Sequence, residues 1–329
     1  MPIDDKKAVE AVEEGKDSPR IQHHLETGGA PLDQVASATS GGSRTLWRDA
    51  WYRLSRNKLA VAALVYLAIV GILAVTAPLW ATRLFGDPLF VDTTTVMKTR
   101  FLAPSLSHPM GTDDFGRDTF ARLVYGARIS LTVGIVATFI SVVLGLIFGA
   151  ISGYYGGMVD SVVMRLTDVF LAFPYILLAI LLISLMGMGL GPVLAAIGIL
   201  GWTTIARVFR SSILSVKEND YVEAARAMGA SDARIMIKHI LPNALAPIIV
   251  YATMSLGGVI LTEAALSFLG VGIQPPTPSW GRMLNEAQGY IVTHPALFIW
   301  PGIAIISTVL AFVLLGDGLR DALDVKVNE

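Results

Sequence analysis

Three ionisable residues lie in stretches that are otherwise apolar, and they are the first places where chemistry could occur. Arg165 and Asp168 stand three residues apart near the start of one such stretch, so they can pair on one face of a helix. Glu263 lies well inside another stretch and has no obvious partner along its own helix. Because a carboxylate in lipid is costly, Glu263 must face protein or water. These residues either anchor helices to one another or line a path for ions, and both interpretations remain open.

Residues 218–243 form a polar segment between two apolar runs that are each long enough to cross a bilayer. Four of its residues recur at helical spacing and predict a short helix with a small, apolar face: Tyr221, Ala224, Ala225 and Met228. Gly229 follows directly, where the end of a helix favours a residue that tolerates a positive φ. Ser231 or Asp232 can cap a second short helix, which Pro242 is expected to end.

Charged residues surround the small face of the first helix. They are Glu223, Arg226, Arg234 and Lys238. Alanine side chains allow another surface to approach the backbone closely, so one interpretation is a docking helix for a cytoplasmic partner. The other interpretation is an ordinary solvated helix in a loop, which the residues alone equally allow.

The composition places the chain in a membrane. Of its 329 residues 53% are hydrophobic and 16% are charged, whereas soluble proteins contain about 25% charged residues. The mean hydropathy of +0.61 agrees. The net charge of −1 gives no general attraction to nucleic acid, and the absence of cysteine excludes disulfides, a thiol nucleophile and a thiolate metal site.

Sequence patterns of known catalytic sites are absent from the chain. No glycine-rich phosphate loop ending in Lys-Ser or Lys-Thr occurs, so we expect that the chain does not hydrolyse ATP itself. The Ser-x-x-Lys, His-Glu-x-x-His and nucleophile-elbow patterns are missing as well. The sequence therefore predicts a non-catalytic protein without a bound cofactor or metal.

The apolar runs predict an all-α integral membrane protein with six transmembrane helices. The expected spans are about 59–80, 129–153, 162–186, 193–209, 244–269 and 296–315. Arginines and tryptophans precede the first span, as is typical of the cytoplasmic interface, so six crossings place both termini in the cytoplasm. Pro174 is expected to kink the third span. Gly145 and Gly149 predict close helix packing within the second span.

These spans divide the chain into five segments. The expected segments are a disordered cytoplasmic tail (1–43), an interfacial segment with the first transmembrane helix (44–80), an extracytoplasmic loop with an amphipathic helix (81–128), a five-helix core that includes a cytoplasmic coupling loop at 211–243 (129–316), and a cytoplasmic tail (317–329). Arg117, Arg122 and Arg128 disagree with this topology, because positive residues are usually found on the cytoplasmic side.

Three motifs resemble one family of membrane proteins. Glu223-Ala224-Ala225, Gly229 and His239-Ile240-Leu241-Pro242-Asn243 resemble the Glu-Ala-Ala loop of ATP-binding-cassette (ABC) importer permeases, within the dipeptide, oligopeptide and nickel branch. The segment from Gly111-Thr112-Asp113 through Gly116-Arg117-Asp118 to Gly126–Leu131 is similar to the same branch. So is Pro278-Ser279-Trp280-Gly281. The resemblance covers roughly residues 46–322.

The resemblance implies a fold, a function and partners. The expected fold is that of a type I ABC importer permease in a bacterial or archaeal cytoplasmic membrane. The expected partners are a second permease subunit that forms a heterodimer, two ATPase subunits that carry ATP and Mg, and an extracytoplasmic solute-binding protein. Contact with the ATPase is expected at Tyr221, Glu223, Ala224, Ala225, Arg226, Met228, Gly229, Asp232 and Pro242.

The substrate remains open at this point. Di- or oligopeptides are expected, and nickel or another solute is the alternative within the same family. A stand-alone secondary transporter that uses Arg165, Asp168 and Glu263 as an ion path is the rival from another class.

Overall fold

Long apolar helices make up most of the protein. The computed structural model describes residues 46–91 and 93–323. The α-helices are, in chain order, α1 (Leu46–Arg56), α2 (Lys58–Phe85), α3 (Val96–Thr99), α4 (Thr119–Tyr155), α5 (Gly157–Ala172), α6 (Tyr175–Met186), α7 (Leu190–Lys217), α8 (Asp220–Ala227), α9 (Asp232–Ile235), α10 (Leu241–Ala244), α11 (Ala246–Phe268), α12 (Trp280–Ala287) and α13 (Ala296–Leu323). A π-helical turn at Met236–Ile240 joins α9 to α10, and a 3₁₀ turn at Gln288–Tyr290 follows α12.

Contacts divide the chain into two units, Met1–Asp49 and Ala50–Glu329. Of the first unit, the structure describes only the first turn of α1, so the expected tail at 1–43 lies outside the described residues. All other helices belong to the second unit.

Five helices in the described part of the chain are long and apolar enough to cross a membrane: α2, α4, α7, α11 and α13. The pair α5 and α6 makes a sixth span if it counts as one, with a bend of 91° between its two halves. The bend lies at Phe173 and Pro174, where both residues have an extended ψ. Pro174 has no N–H to continue the helical ladder, so the predicted kink is confirmed as a complete break.

The helices extend beyond the apolar runs that predicted them. The carboxylate of Asp118 accepts a hydrogen bond from the Ala121 N–H at 2.7 Å and starts α4 there. The expected amphipathic helix before residue 129 is therefore the first part of α4, and the loop that was expected at 81–128 is confined to residues between α2 and α4. The helix α7 continues to Lys217, so residues 211–217, which were expected to belong to a loop, are helical. The helix α13 likewise continues to Leu323.

Glycines allow α4 and α7 to lie almost in backbone contact. A Cβ at Gly149 would lie 2.7 Å from the carbonyl oxygen of Ala206, and a Cβ at Gly153 would lie 3.1 Å from that of Arg210. Gly145 faces Ile205 one turn earlier in α4. The predicted close packing at Gly145 and Gly149 is confirmed, and α4 and α7 share the most extensive helix contact in the described structure.

The spans give the protein two distinct ends. At the first, the α8 end, α8 to α10 lie beside the C-terminal turns of α4 and α7. The start of α2 and the end of α13 meet at this end too, where Ala60 packs with Leu54 and Ala322. The second, the α12 end, carries the segment between α2 and α4 together with α12.

Candidate functional site

Helix α8 has well-defined ends. The residue that caps its start is Asn219, and Met228 caps its end. Gly229 then adopts a φ of +80°, as the sequence predicts. The Gly229 N–H donates to the Arg226 carbonyl at 3.0 Å, and the Ala230 N–H donates to the Ala225 carbonyl at 3.1 Å. This pair of bonds is a Schellman motif, which satisfies carbonyls that the helix itself leaves free.

One side of α8 is fixed to the helical core. Val222 is 1% exposed and Ala225 is 3% exposed, and both pack in an apolar cluster with Phe209, Ile213 and Ile235. The expectation that Ala225 shares a free apolar face with Tyr221, Ala224 and Met228 is therefore wrong. Ala225 faces inwards beside Val222 and packs against α7 and α9, because removing its apolar surface from water stabilises the helix more than leaving it exposed would.

The other side of α8 faces outwards. Its exposed residues are Asp220, Tyr221, Glu223, Ala224, Arg226 and Ala227, and Met228 after the helix is exposed as well. A shallow hollow runs along this side between Asp220 and Ala227. Met228, directly after the helix, is 81% exposed.

The residues that follow α8 are held in place by side chains from α4 and α7. The Tyr154 hydroxyl donates to Asp232, and Lys217 Nζ donates to the Tyr154 carbonyl at 2.7 Å. Ser231 occupies the N-cap position of α9, but its side chain makes no capping bond. Asp232 therefore joins α9 to the end of α4 in place of capping the helix.

Pro242 does not end the helix that precedes it. Helical structure continues through the π-helical turn Met236–Ile240 into α10, whose second residue is Pro242. Proline is tolerated in the first turn of a helix, where its missing N–H has no partner in any case. The side chain of Asn243 donates to the His239 carbonyl at 2.7 Å, which is one of the carbonyls of the π-helical turn.

Arg165 and Asp168 do not form the expected pair. Asp168 forms an ion pair with Arg207 of α7. Two turns earlier in α5 and one turn later in α7, Asp160 pairs with Arg210, and the Ser152 hydroxyl also donates to Asp160. Both carboxylates of α5 thus point towards α7, and these ion pairs attach α5, the first half of the bent span, to α7.

Glu263 is fully buried and bonded within the protein. The Ser130 hydroxyl of α4 donates to it at 2.9 Å, and the Ser267 hydroxyl of its own helix donates at 2.7 Å. The expectation that it lacks a partner on its own helix is therefore wrong. Ser267 also accepts from the Ile273 N–H at 3.0 Å, so Glu263 organises the turn that follows α11. This arrangement is that of a structural anchor.

A cluster of buried charges lies at the α12 end. Asp113 Oδ2 accepts from Arg117 Nε and from Arg122 Nη1, each at 2.8 Å. Glu286 of α12 accepts from Arg122 Nη2 at 2.7 Å and from Arg282 Nε at 3.0 Å. The cluster ties the segment before α4 to α12.

Sequence reasoning missed Arg122 and Glu286 as members of this cluster. Arg122 is 2% exposed, although it lies in a stretch that was expected to be amphipathic. Its position four residues after a capping Asp118 was the available signal, because it places the arginine on the same side as the Asp113 turn. Glu286 lies 164 residues further along the chain and carries no local signal.

The cluster also shifts the ionisation of its carboxylates. Burial, together with the neighbouring charge of Asp113, raises the pKa of Asp114 to about 6, against the opposing effect of Arg117. Burial likewise raises the pKa of Glu286, although Arg117 and Arg282 oppose this. Within residues 46–91 and 93–323, no group of three His, Cys, Asp or Glu side chains could hold a metal ion.

The fold matches that of a known class of transport protein. The inward-facing methionine ABC transporter MetNI contains a chain that aligns with a TM-score of 0.53 at 23% identity, over 62% of this chain and 97% of that one. A second crystal form of the same transporter gives a TM-score of 0.52. The architecture is therefore that of the membrane-spanning subunit of an ABC importer.

Sequence comparison identifies the family to which the chain belongs. Residues 141–329 match the family described as the binding-protein-dependent transport system inner membrane component, and residues 45–107 match the N-terminal transmembrane domain of oligopeptide transport permease C. The dipeptide transport system permease protein DppC of Alkalihalophilus pseudofirmus is 43% identical over 86% of this chain and 90% of its own length. The glutathione transport system permease protein GsiD of Pectobacterium atrosepticum is 43% identical over 87% and 93%. The chain belongs to the binding-protein-dependent inner membrane components and is a permease subunit of an ABC importer.

Proposed function

We propose that the chain imports di- or oligopeptides and that α8 is its contact with an ATPase subunit. The names of two relatives, a dipeptide permease and a glutathione permease, support the substrate class, since glutathione is itself a short peptide. The similarity covers most of each chain, so the substrate class of the relatives is the best available guide to this one. Nickel and other solutes are the outcomes that a substrate screen would distinguish.

The two-sided geometry of α8 carries the assignment of the ATPase contact. Val222 and Ala225 fix the helix to α7 and α9, while Tyr221, Ala224 and Met228 remain exposed. A rigidly mounted helix whose outer side combines exposed apolar residues with charges is suited to fit a groove on another protein. Because its inner side packs against the ends of α4 and α7, a push on α8 is passed directly to two spans.

The remaining parts of the transporter follow from this role. ATP and Mg are bound by two partner ATPase subunits, and this chain supplies no catalytic residue. A second permease subunit completes the translocation path, and a solute-binding protein delivers the peptide from outside. The α8 end and both termini face the cytoplasm, where the ATPases and ATP are. Closure of the ATPases then shifts the permeases between inward-open and outward-open states.

Gly229 offers the sharpest test of the ATPase contact. No atom outside its immediate neighbourhood lies within 4 Å of a Cβ added at Gly229, so a substitution there meets no clash and is opposed only by the positive φ. Asparagine tolerates this conformation, whereas a β-branched residue does not. We expect Gly229→Val to misplace the end of α8 and to reduce both ATPase co-purification and peptide-stimulated ATP hydrolysis at least tenfold. Gly229→Asn is the matched control and should retain most of both.

The measurement is made on the assembled transporter in detergent and then in liposomes. Unchanged thermal unfolding of both variants establishes that the spans are intact. Equal ATPase recovery and equal peptide uptake by Gly229→Val and Gly229→Asn would show that α8 is not the contact. Uptake is measured for a dipeptide, glutathione and a nickel chelate, and transport of only the chelate would reject the peptide assignment while leaving the α8 assignment intact.

A further inference from the structure

One exposed surface takes no part in the sites described above and lies where α1 joins α2. Its five exposed side chains, called the basic patch, are Trp51, Tyr52, Arg56, Lys58 and Leu59. Trp51 is 62% exposed and Leu59 is 64% exposed. Between Lys58 and Arg83 the span α2 contains no charged residue, and this stretch of about 36 Å slightly exceeds a hydrocarbon layer of about 30 Å. The basic patch therefore lies at the level of the lipid headgroups.

The other side of this joint is fixed to the rest of the protein. Ala50 and Leu54 are buried and belong to one apolar cluster with Ala60 of α2. A Cβ added at Gly318 of α13 would lie 2.4 Å from the Cβ of Ala60, so α13 lies almost against α2 here. The side chain of Asn57 accepts from the Ala60 N–H at 3.2 Å and caps the start of α2. The basic patch is thus presented on a fixed support.

The cations of the basic patch are not neutralised by the fold. Residues 50–60 contain three cations, Arg53, Arg56 and Lys58, and no acidic residue. In the described part of the chain, no carboxylate forms an ion pair with Arg56 or Lys58. This includes Asp317 and Asp321, which are exposed at the end of α13. The surface therefore carries positive charge that is available to an anion from outside the chain.

The geometry of Arg56 suits a phosphate group. Its guanidinium carbon lies 4.5 Å from the centroid of the Tyr52 ring. A guanidinium that stacks on an aromatic ring keeps its N–H groups, which lie in its own plane, available to an acceptor. Phosphate oxygens match this fork of donors, and the side chains of Trp51 and Tyr52 are of the types that favour the headgroup level of a membrane.

Charge distinguishes between the headgroups of membrane lipids. A zwitterionic headgroup carries an ammonium group beside its phosphate, and residues 50–60 offer no carboxylate to that ammonium. An anionic headgroup carries a phosphate without an ammonium, so it keeps the full attraction to basic residues beside a span. The basic patch therefore favours an anionic lipid.

We propose that the basic patch binds the phosphate of an anionic glycerophospholipid, with Arg56 and Lys58 as the donors. Trp51 and Leu59 contact the glycerol and the first methylene groups of the same lipid. Because the joint between α1 and α2 also packs against α13, the bound lipid holds the first and the last span at the same membrane surface. The proposal depends neither on the transported substrate nor on the contact of α8 with an ATPase.

Photo-crosslinking in the complete transporter identifies the molecule at the basic patch. Trp51 is replaced by the photoreactive aromatic amino acid benzoylphenylalanine, in liposomes of equal amounts of phosphatidylglycerol and phosphatidylethanolamine. Mass spectrometry of the crosslinked peptides gives the ratio of the two captured lipids. We expect capture of the anionic phosphatidylglycerol to exceed that of phosphatidylethanolamine about fivefold. The same amino acid in place of Val75, which is 74% exposed within α2, is the matched control and should capture both lipids equally.

Variants in this background test the two cations. Arg56→Gln combined with Lys58→Gln should lower the capture ratio to less than about two, whereas Arg56→Lys keeps the charge and should retain most of the preference. Lys98→Gln removes an exposed cation from α3, outside the basic patch, and should leave the ratio unchanged. Raising the salt concentration from about 0.1 M to about 1 M shortens the Debye length from about 10 Å to about 3 Å and should lower the ratio as well.

The outcomes that contradict the proposal are distinct. Equal capture of the two lipids at position 51, or an unchanged ratio in the double variant, would overturn it. Crosslinking to an ATPase subunit or to a second permease in place of a lipid would show that protein covers the basic patch and would reject the lipid. Thermal unfolding of each variant establishes that it is folded.

Discussion

The ion cluster at the α12 end and the helix α8 at the opposite end use the same kinds of charged residue in opposite ways. At the α12 end, Asp113, Arg117 and Arg122 are each less than 10% exposed and bond to one another or to Glu286. At the α8 end, Glu223 and Arg226 are exposed on a helix whose apolar side is buried. Charges that are satisfied internally hold elements together, whereas charges left exposed on a fixed helix are available to another protein.

The same comparison bears on two of the three arginines that disagree with the expected topology. In that topology Arg117 and Arg122 lie on the side where positive residues are expected to be rare, as does Arg128, which remains exposed. Arg117 and Arg122 are both neutralised by carboxylates within the fold, so neither presents a free positive charge there. The buried ion cluster therefore accounts for these two positive residues within the expected topology.

The largest effect on stability is expected at Arg122. Arg122→Ala leaves Asp113 and Glu286 buried without one of their partners, and such a loss typically costs about 3–5 kcal/mol. Unfolding of the purified transporter, followed by heat or denaturant, measures it. Arg226→Ala is the matched control at the other end, and a destabilisation by both variants of equal size would remove the distinction between the two ends.

A smaller effect, dependent on pH, is expected at Asp114. Its pKa is raised from 3.8 to about 6, so between about pH 4 and pH 6 the folded chain binds more protons than the unfolded chain. The stability contributed by this group is therefore greatest at low pH and declines as the pH rises to about 6. Asp114→Asn should flatten this decline in the melting temperature measured from pH 4 to pH 8.

Two features make the pH experiment specific. Burial raises the pKa of Glu286 in the same cluster, so part of the decline should remain in Asp114→Asn. Asp220→Asn changes an exposed carboxylate at the α8 end and should keep the whole wild-type decline. A profile of Asp114→Asn that matches the wild type at every pH would contradict the assignment.

The smallest effect on stability is expected on the outer side of α8. Glu223→Ala should change the free energy of unfolding by less than about 0.5 kcal/mol, because the side chain is exposed and alanine favours helix. The same variant should lower peptide-stimulated ATP hydrolysis if α8 is the contact. Val222→Ala, on the buried side, is the opposite control, with a stability loss of about 1 kcal/mol or more.

Local signals predicted those parts of the fold that depend on neighbouring residues. The apolar runs predicted the spans, Pro174 predicted the break at residue 173, and Gly229 predicted the positive φ after α8. The Glu-Ala-Ala loop and its flanking motifs predicted the family. Each of these depends on the backbone preference or hydropathy of a short stretch, which a single sequence displays.

Partners that come from distant parts of the chain were not predictable in this way. Asp168 pairs with Arg207, not with Arg165, because the packing of α5 against α7 decides which cation is within reach. Ala225 turns inwards because the ends of α4 and α7 lie beneath it. The start of α4 and the end of α7 were not predicted either. Both lie in polar stretches, which are helical because they pack against other elements.

The glycine contacts between α4 and α7 also limit how the protein can change shape. At Gly149 and Gly153 the opposing atoms belong to both the backbone and the side chains of α7, so the two helices are in close contact over two successive turns. We therefore expect α4 and α7 to move together as one rigid unit, and α8 packs against one end of that unit. Joints that permit rearrangement are to be sought where the chain is interrupted, at the 91° corner between α5 and α6 and at the π-helical turn before α10.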